Sequence, residues 1–93
     1  MSETVNIQNV NIDLLYAVTD WVDRVFSRLE GENKELRACS KRICDMISIH
    51  MYELPREDVV FLMPSLVVYA DQHPDTAEQV KELYSKIAAA LEA

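Results

Sequence analysis

Val59-Val60-Phe61-Leu62-Met63-Pro64-Ser65-Leu66-Val67-Val68-Tyr69-Ala70 is the longest apolar run of the chain, and how it folds decides the class of the whole. Wound as a helix it is apolar almost all round, the pattern of a buried central element. Pro64 lacks an N–H and its ring clashes with the carbonyl of Val60, so the expectation is a third helix that is either kinked or broken at Pro64. The β-branched content would also suit a two-stranded hairpin through Met63-Pro64-Ser65, but no Gly or Asn stands at that turn. The run is too short for the ~20 residues of a membrane span.

Downstream, Pro74 and Asp75 open a fourth helix, with Asp75 and Glu78 resembling a capping box. Val80, Leu83, Tyr84, Ile87, Ala90 and Leu91 form its apolar stripe, and Glu82 and Lys86 make an outer i,i+4 pair. Upstream, a second helix spans about 33–54 and is ended by Pro55. Its apolar face is Leu36, Cys39, Ile43, Met46, Ile47, His50 and Leu54. A first helix spans about 12–30, with Asn11 as N-cap and Gly31 as the C′ residue. In it Leu15, Val18, Val22, Val25 and Leu29 form an a/d seam, flanked by Leu14, Trp21 and Phe26. Short connections make neighbours antiparallel. The expected architecture is therefore all-α, a compact antiparallel bundle of four helices forming one domain over 12–93. Residues 1–11 read as a flexible tail, or as a short extended arm through the alternation Val5-Asn6-Ile7-Gln8.

Composition narrows the function classes. The 93 residues are 49% hydrophobic and 27% charged, a globular balance. Sixteen acidic against nine basic residues leave a net charge of −7, which argues against direct nucleic-acid binding. One glycine and three prolines are too few for a many-turned β-sandwich or a phosphate-cradling loop. No charged-then-apolar leader opens the sequence, and the expected location is the cytoplasm. Cys39 and Cys44 would lie about 140° apart around one helix and cannot bridge there, so two reduced thiols are expected. His50 and His73 complete no metal-ligand spacing with them. Cys39 and His50 share a face but would stand roughly 16 Å apart along the axis. No metal or cofactor is expected.

Charge is uneven along the chain. Residues 1–42 hold seven acids and six bases, whereas 43–93 hold nine acids and three bases. Arg24, Arg28, Lys34, Arg37, Lys41 and Arg42 could converge across the Gly31 turn and grip a phosphate or an acidic partner, or form a solvated corner interleaved with Glu30, Glu32 and Glu35. In the acidic half, Glu53, Glu57, Asp58, Asp71, Asp75, Glu78 and Glu82 could face a basic groove.

The leading functional reading is a non-enzymatic, homodimeric protein–protein interaction module anchored by Leu14, Trp21 and Phe26. The alternative is an inhibitor covering the basic surface of a nucleic-acid-binding protein. In size and charge the chain is similar to phage-encoded inhibitors of restriction or CRISPR enzymes. A third reading takes His50 as the phosphoacceptor of a histidine-phosphotransfer bundle, although Met51-Tyr52-Glu53-Leu54 lacks the Lys- and Gly-bearing run of that family.

Overall fold

The computed structural model describes residues 3–26 and 34–92. The chain runs through β1 (Thr4–Asn6), α1 (Ile12–Phe26), α2 (Lys34–Ser48), β2 (Glu53–Pro55), α3 (Arg56–Gln72) and α4 (Ala77–Glu92), with a 3-10 turn at Pro74–Thr76 before α4. The fold is all-α, four helices packed compactly, with a two-stranded ribbon laid on them.

The apolar run 59–70 lies within α3, a single helix that continues through Pro64 rather than breaking into two or turning back as a hairpin. Pro64 is exposed, so the Val60 carbonyl it leaves without a helical partner is on the water side, where such a loss is best tolerated. Glu57 and Asp58 stand in the first turn, where the helix dipole favours acids. The helix stops at His73 because the residue before Pro74 is driven out of the α region. Both the backbone N–H and the ring Nδ1 of His73 lie 2.9 Å from the Tyr69 carbonyl. A carbonyl only accepts, so Nδ1 carries the proton. The expected start of the fourth helix at Pro74 and Asp75 is a 3-10 turn instead, in which Thr76 N–H donates to the His73 carbonyl at 3.1 Å.

The second helix ends at Ser48, six residues before its expected end at Leu54. His50 adopts φ 60°, the left-handed conformation. Its N–H donates to the Ile47 carbonyl at 3.0 Å, and the Met51 N–H reaches back to Met46 at 2.9 Å. These two bonds are the Schellman termination, built here on histidine instead of glycine. The chain thereby reverses into β2, a strand where the sequence pattern predicts the last turn of a helix.

Strand β2 pairs antiparallel with β1, matching Thr4 to Pro55, Val5 to Leu54 and Asn6 to Glu53. The N-terminal segment, expected as a tail or an arm, is over its described part an arm laid on this domain. Val5, Ile7 and Val10 are buried in the core. Arg56 N–H to Glu3 carbonyl, 2.8 Å, and Ile7 N–H to Tyr52 carbonyl, 2.9 Å, extend the pairing at both ends. At the start of α1, Asn11 Oδ1 accepts from Leu14 N–H at 3.1 Å, the expected N-cap.

Side-chain contacts tie the helices together in pairs. Between α1 and α2, Arg37 meets Asp23 at 3.0 Å while Tyr16, a half-helix earlier, lies beside Cys44. Between α3 and α4, Arg56 at the start of α3 donates to the Leu91 carbonyl at the end of α4. One core joins all four helices through Leu15, Val18, Val22, Ile43, Ile47, Leu62, Leu66, Val80, Leu83 and Ile87. The first-helix seam is buried only through Val22, since Val25 is exposed, and Leu29 and Gly31 lie outside the described residues.

A non-glycine residue held at positive φ is disfavoured, so His50→Gly is expected to raise stability by about 0.5–1 kcal/mol in urea unfolding. An unchanged midpoint would show that the side chain of His50 offsets its backbone strain.

Candidate interaction surface

Helix α3 is not buried all round, as its composition suggested. Val59, Leu62, Met63, Leu66 and Tyr69 face the core, while Val60 (53% exposed), Phe61 (46%), Val67 (59%) and Val68 (42%) face outward beside exposed Pro64. At 100° per residue these five side chains share a strip about 120° wide on the side opposite the core. Exposed apolar residues scattered singly are ordinary, but a contiguous strip is characteristic of a contact surface. Next to it, a groove of 530 Å³ runs between α3 and α4. Leu66, Val67 and Ala70 line one wall and Ala77, Val80 and Tyr84 the other, with Asp71, Lys81 and Ser85 supplying its polar groups.

The signal for this face was in the sequence but was outweighed by the apolar count. Glu57, Pro64 and Asp71 recur at spacings of seven and so fall on one line of the helix. Three residues unsuited to a core mark the outward side.

The anchors expected beside the first-helix seam are placed differently. Leu14 and Trp21 are half-buried against the core. Trp21 stands edge-on to Tyr69, with ring centroids 5.3 Å apart, and to His73 at 5.7 Å. Tyr69 and His73 stack at 3.9 Å. Trp21 therefore fastens α1 to the end of α3. The side chain of Phe26 lies outside the described residues.

The acidic residues do not form one face. Asp75, Glu78 and Glu82 line a common shallow cleft together with Lys81, and Glu82 is paired with Lys86 at 3.3 Å. Glu57 and Asp71 lie at opposite ends of α3. Glu53, on β2, accepts from the Thr4 hydroxyl at 2.8 Å. Asp58 is withdrawn from the surface, 7% exposed, and gripped bidentately by Arg42: Nη2 to Oδ1 2.7 Å and Nε to Oδ2 2.9 Å. The Cys39 thiol donates to the backbone carbonyl of the same residue at 2.9 Å. This knot ties the middle of α2 to the first turn of α3.

The basic residues are spread in the same way. Arg24 pairs with Asp20, Arg37 with Asp23 and Arg42 with Asp58. Lys34 and Lys41 are exposed on α2, and Arg28 lies outside the described residues. His50, expected on a rigid helix, sits in the exposed turn after α2, its Nδ1 3.1 Å from the Tyr52 hydroxyl. Among the described residues no three His, Cys, Asp or Glu side chains converge where they could hold a metal ion. No helix among them is long and apolar enough to cross a membrane. No protein-family model, curated protein or solved structure matches the chain.

The α2–α3 knot can be tested from either side. Arg42→Ala leaves the Asp58 carboxylate buried without its partner. Half-exposed Arg42 keeps the cost below that of a fully buried pair, and a loss of about 2 kcal/mol in urea unfolding is expected. Burial first, and then the charge of Asp58, pushes the Cys39 thiol up from 9.0 to about 12. The folded state therefore holds this proton more tightly than the unfolded chain. Its stabilising effect is complete below pH 9 and is lost as pH rises towards 12. The alkaline fall in melting temperature should be shallower in Cys39→Ala than in wild type.

Proposed function

We propose that the chain is a non-enzymatic protein–protein interaction module whose contact face is the outer strip of α3 together with the groove beside it. The observation that carries this reading is the run of Val60, Phe61, Pro64, Val67 and Val68 turned away from a core that is complete without them. Covering such a strip removes apolar area from water, the main driving force of association. It presents anchors at i, i+1, i+4, i+7 and i+8, the spacing at which helices dock on helices. Leu14 and Trp21 serve the fold in this reading and are not anchors.

The homodimeric form of the same reading places a second copy on this strip. An inhibitor that covers a basic surface has one specific support, the cleft shared by Asp75, Glu78 and Glu82.

The test is affinity capture with the wild-type protein, with Val67→Asp on the strip, and with Tyr16→Ser on α1 as a control. Both changes fall at exposed positions, and circular dichroism verifies the fold. Loss of a central apolar anchor is expected to weaken capture, self-capture included, by about thirtyfold, while Tyr16→Ser captures as wild type does. Equal capture by Val67→Asp and wild type would overturn the α3 face. Capture abolished by salt and by polyanions yet indifferent to Val67 would favour the acidic cleft instead.

A further inference from the structure

The strip on α3 is bracketed by charge of one sign. Glu57 and Asp71 are exposed on the same line of the helix as Pro64, seven residues to either side, and so stand roughly 21 Å apart with the apolar residues between them. Cations stand near both ends, yet among the described residues none closes an ion pair on either carboxylate. Arg42 feels the charge of Glu57 but is held bidentately by Asp58, Arg56 is engaged with the Leu91 carbonyl, and Lys81 lies in the groove near the Asp71 end.

A second copy would meet this face badly. Antiparallel pairing about Pro64 sets Glu57 against the other copy's Asp71 at both ends, and parallel pairing sets each carboxylate against its own counterpart. Both also bring together two chains of net charge −7. Like charges placed opposite one another at an interface select against that pairing.

Resting on α3 as the contact face, we propose that its occupant is an amphipathic helix of another protein, apolar along its middle and carrying Lys or Arg at both ends about fourteen residues apart. The middle packs on Val60, Pro64, Val67 and Val68 and into the groove beside Val67, while the terminal cations pair with Glu57 and Asp71. Apolar contact supplies the affinity, and the two carboxylates choose the partner.

The experiment is selection of binders to the whole protein from a displayed library of eighteen-residue helices. The library has a fixed apolar i, i+3, i+4, i+7 stripe and randomised flanking positions. Lys and Arg are expected to be enriched at both ends. A selected helix, made as a free peptide, should bind wild type roughly fivefold to tenfold more tightly than Glu57→Lys/Asp71→Lys at low salt, a difference that narrows as salt rises. The charge-reversed protein should in turn select Asp and Glu.

Binders that need Val67 but show no preference at their ends would overturn the basic partner while leaving α3 as the contact face. Binders indifferent to Val67→Asp, or no binders at all, would overturn both. Sedimentation of the wild type as a dimer that Val67→Asp converts to monomer would give the strip to a second copy and overturn the proposal.

Discussion

The left-handed backbone of His50 is the constraint on which the rest of the chain depends. Without a reversal there, α2 would run on through Leu54 and no β2 would form. With it, Leu54 arrives opposite Val5 and the arm gains a strand to pair with. Pro55 then opens α3 at a fixed place, which brings Asp58 under Arg42 and Cys39. A conformation that disfavours any side chain is held by two helix-terminating hydrogen bonds and by the strand pairing that the reversal makes possible.

Helix α3 shows how one sequence pattern can serve two sides. Its inward residues close the core against α1, α2 and α4, and its outward residues are nearly as apolar. The proline in its middle lies on the outward side, where its missing hydrogen bond does least harm. Val60, Val67 and Val68 keep about half of their apolar surface in water, the feature on which the proposed contact face rests.

Much of this was legible. The stripes of α1 and α4 have the helical period and flanking polar faces, and Asn11 is a recognisable cap. The end of α2 was not, because glycine marks a left-handed termination in sequence and histidine does not. The strand pairing was half visible: Val5-Asn6-Ile7-Gln8 alternates, but its partner Glu53-Leu54-Pro55 sits at the end of a helical pattern and far away in the chain. The two-sidedness of α3 was hidden by composition, since an all-round apolar wheel looks the same whether one side is covered by the core or left open. Asp58 reads as a surface acid because a sequence shows neither its burial nor the Arg42 guanidinium that makes burial tolerable. The packing of Trp21 was hidden as well, because the rings it meets edge-on, Tyr69 and His73, are about fifty residues away.

The pairing of β1 with β2 also sets an order of events in time. Thr4 and Glu53 are 49 residues apart, so the arm has nothing to pair with until more than half the chain exists. Helices α1 and α2 can meet early through a short connection, whereas closing the ribbon carries the larger loop entropy. At ribosomal speeds of about 5–20 residues per second, the arm waits roughly 2–10 seconds after its own synthesis for its partner strand. The first described residues to be made are thus among the last to reach their place.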